Sequence, residues 1–396
     1  MQVAGIIAEY NPFHNGHKYL IEKLRESGVT HIIAAMSGNF VQRGEPALFE
    51  TSTRVKAALA GGVDLVLQLP VAYSVSGAAN FAYGGVSLLN ATGVVDTLAF
   101  GSECGDIKAL ESVSKILLSG CLEEKIRKEL ETGITYAKAR ENALKNADEK
   151  LAGILAEPNN ILAVEYINSL KKLDSKIAPY TVKRMGASHD SSEKVSNIAS
   201  ASEIRKMIVD GENWGNFVPN SEIYYDNGKI NFVAFNKFEI ATLYKMRIIS
   251  ADEIAKSPDV SEGIENRIFA AARRAATLDE LYSLAKTKRY THARIRRIVL
   301  NTMLEITAED AAATVPYIRV LGFNDRGAEL IRVMKNKAKL PLVTKAADIA
   351  SLPECCKNTF ELERRTTDIY SLFLENPDSC NAEVKRKVII NTEKKD

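Results

Sequence analysis

Gly5-Ile6-Ile7-Ala8-Glu9-Tyr10-Asn11-Pro12-Phe13-His14-Asn15-Gly16-His17-Lys18 is an apolar strand that runs into a short loop and then opens a helix. The apolar run begins at Val3 and is rich in Ile, as a buried strand requires. Leu20, Ile21 and Leu24 then share one face of a helix over residues 14–26. The alternation continues downstream. Apolar runs at 31–36, 64–69 and 94–100 alternate with helical patterns at 51–60 and 76–90. Pro70 and Gly101 end two of those runs. Each connection is long enough to return a parallel strand. The pattern predicts an α/β fold, a doubly wound parallel sheet with its ligands at the carboxyl ends of the strands.

The segment 106–147 is charged and helical, 160–170 is a further helix, 180–184 a last strand, and 186–196 a polar loop. A helix over 200–209 ends at Gly211. Beyond about residue 235 the periodicity is helical, and Asp226-Asn227-Gly228 suits a hairpin turn between 223–225 and 230–233. The change of character divides the chain into 1–210, the catalytic region, and 211–396, a mainly α-helical region.

The whole chain has 396 residues, 46% hydrophobic and 26% charged, which excludes global disorder and collagen-like repeats. At about 150 residues per domain this allows two to three domains. Residues 65–95 carry no charge, yet Gln68, Pro70, Asn80 and Asn90 interrupt them. No run reaches the roughly 18 apolar residues of a membrane span. The five cysteines have no metal-type spacing, and adjacent Cys355 and Cys356 form the one pair suited to redox chemistry. These features predict a cytoplasmic protein with no membrane partner and no obligate protein partner.

The helix start at His14 favours anions. Free N–H groups and the helix dipole give that end partial positive charge. Gly16 lacks a Cβ, so a phosphate or ribose can approach the backbone. His14 and His17, three apart, share a helix face, and their imidazoles suit stabilisation of charge on a phosphate in the transition state. Two other readings compete. A His-x-x-His pair is half a zinc site, although only His31, His189 and His292 remain and no cysteines cluster. Both histidines also suit a purely structural role at a helix start.

The segment resembles the ATP-binding signature of the nucleotidyltransferase superfamily, which includes class I aminoacyl-tRNA synthetases. The longer string from Ala8 to His17, with Met36-Ser37-Gly38-Asn39-Phe40-Val41-Gln42-Arg43-Gly44-Glu45-Pro46-Ala47, is similar to the bacterial tRNA(Met) cytidine acetate ligase family. Gly101-Ser102-Glu103, Pro158-Asn159-Asn160-Ile161-Leu162, Ile198-Ala199-Ser200-Ala201-Ser202-Glu203-Ile204-Arg205 and Lys286-Thr287-Lys288-Arg289-Tyr290-Thr291 extend the match. The resemblance implies a Rossmann-like nucleotidyltransferase domain. It also implies a reaction in which acetate and ATP give acetyl-adenylate, and the wobble cytidine of elongator tRNA(Met) becomes N4-acetylcytidine. His14 and His17 would be catalytic. Nucleotide contacts would fall on Ile7, Ala8, Glu9, Tyr10, Asn11, Pro12, Phe13, His14, Asn15, Gly16, His17, Lys18, Tyr19 and Leu20. Gly101, Asn159 and Arg184 would complete them, with Mg²⁺ carried by the ATP phosphates.

Elementary chemistry supports parts of this. Gly101 follows an apolar strand, where a nucleotide crosses the sheet edge. Asn159 suits a base or ribose edge, but also a helix cap. Arg184 suits a phosphate clamp, or a solvated strand end. Ser200, Ser202 and Arg205 suit a pyrophosphate site, though capping alone accounts for the serines. Arg43 suits phosphate, RNA, or a salt bridge to Glu45 or Glu50.

Residues 264–300 hold nine Lys or Arg against three Asp or Glu, a net of +6 in a chain whose total is +2. Lys286, Lys288, Arg289, Arg294, Arg296 and Arg297 are the densest part, with Tyr290 and His292 interleaved for base stacking. The ordinary alternative is a solvated helix face. The rival to the acetate ligase is a small-molecule adenylyltransferase making a coenzyme precursor. It has no need of such a basic surface. An RNA-binding protein with a degenerate ATP site is disfavoured by the intact His14, Gly16 and His17.

Overall fold

The computed structural model describes residues 1–145, 148–185, 197–226 and 228–391. The strands Val3–Ala8, His31–Ser37, Leu65–Leu69, Thr97–Ser102 and Ala178–Lys183 pair in parallel, with Val3–Ala8 at the centre. Their side chains alternate between two cores. Ile7, Ile33, Ala35, Leu65 and Leu67 face the helices Ala78–Ala91 and Pro158–Lys172. Ala4, Ile6, Ile32, Ala34 and Met36 face Asn15–Glu26 and Thr51–Ala60. Burial on both faces is why Val3–Ala8, His31–Ser37 and Leu65–Leu69 read as apolar runs, whereas the strand Ala178–Lys183 is half-exposed.

The sheet does not stop at residue 210. Ile318–Phe323 pairs antiparallel with Leu65–Leu69, and it pairs in parallel with Leu342–Val343 and Ile389–Ile390. Among the described residues the sheet has eight strands. The second half is mainly helical, as expected, and it also covers the sheet edge that the first half leaves open. Its own core joins Phe235–Ile248, Ile264–Ala272, Leu278–Ala285 and His292–Leu304.

The charged segment after residue 106 forms Ile107–Leu118, Glu123–Glu131 and Tyr136–Lys145. The expected hairpin is reduced to Tyr225–Asp226 against Lys229–Ile230, and Asn227 of its turn lies outside the described residues. The expected loop at 186–196 also lies outside them. Cys356 is buried with its thiol on the Pro316 carbonyl, and Cys355 is exposed. No described helix is long and apolar enough to cross a membrane.

Candidate active site

The first strand ends at Ala8, and the chain turns through Tyr10, at φ 47°, and a cis Asn11–Pro12 bond into the helix that His14 caps. Two reciprocal hydrogen bonds hold that helix start. The Gly16 N–H donates to His14 Nδ1 at 3.1 Å, and the His14 N–H donates to His17 Nδ1 at 3.1 Å. This is a capping box made of two imidazoles. Because both Nδ1 atoms accept, both neutral rings carry their proton on Nε2. The rings stack with centroids 3.8 Å apart, and Tyr10 packs edge-on to His17 at 4.9 Å. A Cβ on Gly16 would lie 2.9 Å from His14 Cε1, so glycine here makes room for the ring as well as for a ligand.

Burial pushes the His14 pKa down to about 4, with Arg184 and Arg205 adding to the effect. Burial, His14 and Arg184 hold His17 well below the ordinary imidazole value. The pair is therefore neutral at pH 7, with two N–H donors set among guanidinium charges. That field suits a polyanion. The structural reading of the histidines and the donor reading are compatible: Nδ1 does the capping, and the proton sits on Nε2 as a donor. Among the described residues no group of three or more His, Cys, Asp or Glu is arranged to hold a metal ion.

The structure brings the later sequence candidates to the same edge. Arg184 follows the last parallel strand, its N–H donates to the Ser102 carbonyl at 2.9 Å, and its Cγ lies 3.2 Å from where a Cβ on Gly101 would be. Asn159 lies at the start of Pro158–Lys172, and its Nδ2 donates to Glu103 Oε1 at 2.5 Å. Glu103 also accepts from the N–H groups of Asn159 and Asn160, so this neighbouring loop caps the helix and the asparagines do not. Ser200 is the N-cap of Ala201–Asp210 in a capping box with Glu203. Arg205 donates to the Asn11 carbonyl at 3.0 Å and to Glu45 at 3.2 Å. Arg43 donates to Ser202 Oγ at 2.9 Å and makes no bridge to Glu45.

Within the first motif, Ile7, Ala8, Tyr10 and Phe13 are core residues that contribute shape and backbone. Glu9 accepts from the Gln42 N–H at 2.8 Å, and burial raises its pKa against the pull of Arg205 and Arg43. Asn11 Oδ1 accepts from the Leu48 N–H, while its Nδ2 is buried without a partner. Asn15 ties the helix start to the carbonyls of Asn197 and Asn216. Lys18 is exposed beside Glu22.

Sequence reasoning missed Arg54. It is fully buried, and its guanidinium donates to the carbonyls of Phe49, Glu9, Ser37 and Gly38. It thus pins together the loops after the first two strands, and burial lowers its pKa to about 10. Tyr224 was missed as well: its hydroxyl accepts from the Phe13 N–H at 3.1 Å. A lone arginine in a helix and a lone tyrosine in a connector carry no local signal of such roles.

The basic segment divides in two. Lys286 and Lys288 are exposed, and Arg296 is part-exposed with its guanidinium 3.8 Å from the Asp279 carboxylate. The other three also hold intramolecular partners. Arg289 pairs with Glu262 at 2.6 Å and donates to the Leu130 carbonyl. Arg294 donates to the Asp259 carbonyl and to Ser261, and Arg297 faces the Asp259 carboxylate at 3.6 Å. Tyr290 is buried with its hydroxyl on the Ser261 carbonyl, so the expected stacking by this ring is not available.

Residues 1–385 match the family described as HIGH Nucleotidyl Transferase. The tRNA(Met) cytidine acetate ligase of Thermoanaerobacter sp. (strain X514) is 42% identical over 392 residues, 95% of this chain and 96% of that protein. The protein of the same name from Alkaliphilus metalliredigens is 39% identical over 95% of each. The crystal structure of Thermotoga maritima TmcAL bound with alpha-thio ATP superposes with a TM-score of 0.90 at 33% identity, covering 99% of this chain and 100% of that one. With such identity across nearly the whole length, the chain belongs to the tRNA(Met) cytidine acetate ligase family of HIGH nucleotidyltransferases.

Proposed function

We propose that this chain is an ATP-dependent ligase that acetylates the wobble cytidine of elongator tRNA(Met) in the cytoplasm. A carboxylate oxygen of acetate attacks the α-phosphorus of ATP, the bond to the pyrophosphate oxygen breaks, and acetyl-adenylate forms. The cytidine N4 amine then attacks the acetyl carbon, AMP leaves, and the amine loses a proton. The observation that carries this reading is the neutral His14–His17 pair, whose Nδ1 atoms are fixed by the backbone, leaving Nε2–H donors among guanidinium charges at the sheet edge. Donors preset in this way stabilise charge that grows on a phosphate in the transition state without reorganising. Arg205 and Arg43, which meet at Ser202, would hold the departing pyrophosphate. Gly101, Asn159 and Arg184 would hold the nucleoside and α-phosphate side. Mg²⁺ would ride on the phosphates, supplying charge neutralisation there. The names of the relatives, and the nucleotide in the Thermotoga structure, support the reading.

The test is the intact mass of elongator tRNA(Met) after incubation with ATP, Mg²⁺ and isotopically labelled acetate. One labelled acetyl group per tRNA is expected. Exchange of pyrophosphate into ATP that depends on an added small phosphorylated acceptor and needs no acetate, with an unmodified tRNA, would identify a small-molecule adenylyltransferase instead.

A further inference from the structure

Two open pockets that share His292 lie between the two halves of the chain, and no residue of the His14 loop lines either of them. The inner one, of about 430 Å³, is lined by Arg43, Asp279, Tyr282, Ser283, His292 and Arg296. The outer one, of about 540 Å³, is lined by Thr135, Lys286, Thr287, Lys288, Thr291 and His292. His292 lines both, so the two form one groove with an imidazole at the saddle. Each chamber falls within the roughly 300–1,000 Å³ that takes a small-molecule-sized group. We propose that this groove seats a single-stranded RNA loop, with one nucleotide in each chamber and His292 between them.

The linings differ in chemistry. The outer chamber offers two ammonium groups and three hydroxyls, and no carboxylate lines it. That is a phosphate-binding set. The inner chamber offers two guanidiniums, an imidazole and the hydroxyls of Tyr282 and Ser283, with the Asp279 carboxylate, 3.8 Å from Arg296, as acceptor. A base edge that presents both ring acceptors and an exocyclic amine needs such a mixed set. One wall is already flat: Arg296 lies over the Tyr282 ring at 5.3 Å, and a guanidinium plane is a stacking surface for a base. Concave chambers admit bases splayed out of a loop and reject a continuous stacked duplex.

The position of the groove agrees with its lining. Arg43 reaches Ser202, Arg205 reaches both Ser202 and the Asn11 carbonyl, and Asn11 belongs to the His14 loop. The inner chamber therefore opens beside the nucleotide site. The outer wall comes from Thr135, in the turn between Glu123–Glu131 and Tyr136–Lys145, and Arg289 secures that hairpin through the Leu130 carbonyl. Both halves of the chain build the groove. The inference rests on the proposed function only for what is done to the seated base.

The experiment measures binding of a fluorescent hairpin RNA carrying the elongator tRNA(Met) anticodon loop, with a fully paired duplex of equal length for comparison. His292→Glu places a carboxylate at the saddle. His292 opens the helix His292–Leu304, where an acidic residue is favourable to the dipole, so folding is preserved. Ser283→Glu, on an exposed position, is the second variant, and Lys335→Glu on Asp325–Lys337 controls for charge alone. Both groove variants are expected to bind the hairpin roughly five- to a hundredfold more weakly, the range for one lost base contact. Lys335→Glu is expected to bind like wild type, and acetate-dependent pyrophosphate exchange is expected to persist in all three. Unchanged hairpin affinity in both groove variants, or a wild-type protein that binds duplex as tightly as hairpin, would overturn the groove. Weakened hairpin binding in a protein that shows no acetate-dependent exchange still supports the groove while removing the acetate-ligase reading.

Discussion

His14 and His17 each have one nitrogen committed to the backbone, and that separates two roles a substitution would otherwise confuse. His14→Ala removes a helix cap, at a cost of about 0.5–2 kcal/mol, together with the Nε2–H donor. His14→Asn keeps a good cap acceptor but loses the donor. We expect His14→Asn to keep the wild-type melting temperature and to lower acetate-dependent pyrophosphate exchange by roughly ten- to a thousandfold. Wild-type exchange in His14→Asn would reduce the residue to a cap. The same residue sets a pH dependence. Unfolded, the imidazole takes its proton near pH 6.5; folded, only near pH 4. Between those values the unfolded chain binds more protons, so stability falls as pH falls through that window. The slope from one histidine is at most about 1.4 kcal/mol per pH unit. Denaturant titrations at pH 7 and pH 5 are expected to show a smaller loss in His14→Asn than in wild type. The histidines were legible because the helix start and their spacing are local. Arg54 was not, because its four carbonyl partners, Glu9, Ser37, Gly38 and Phe49, are spread over residues 9–49 on the N-terminal side of its helix turn and share no local pattern.

Between residue and molecule stands the loop that carries Phe40–Val41 and Glu45–Pro46 as a small antiparallel ladder. Its turn residue Gly44 has φ 79°, and a Cβ there would lie 2.6 Å from the backbone nitrogen of Arg297. The loop that presents Arg43 is thus pressed against His292–Leu304. Gly44→Ala is strained and also sterically blocked, so a loss of about 1–3 kcal/mol is expected. Hydrogen exchange at Ile295 and Ile298 should then rise selectively. Protection equal to wild type at those amides would show that the contact is not tight. Parallel strands were legible through their apolar runs. Ile318–Phe323, between Pro316 and Asn324, has a weaker signal, since Arg319 breaks its apolar run, and it stands alone among helical patterns. The arginines misled in the opposite way: a count of charge does not tell Lys288, exposed, from Arg297, buried against Asp259.

At the scale of the molecule, composition changes near residue 210 but the sheet does not end there. Leu65–Leu69 is buried along its whole length because Ile318–Phe323 covers its outer edge. Leu321 enters the core beside Val55 and Val66, and Val320 enters the opposite core beside Leu67. A fragment of residues 1–210 keeps every nucleotide candidate but leaves a strand edge without its partner, its side chains apolar on both faces. Such an edge is a template for pairing with another chain. We therefore expect the 1–210 fragment to aggregate, and the full chain to unfold as one cooperative unit by circular dichroism and by Trp214 fluorescence. A soluble, monomeric 1–210 fragment that melts cooperatively and exchanges pyrophosphate would show that the catalytic region folds alone. The strand Ile318–Phe323 would then be an addition to the sheet and not part of what holds it.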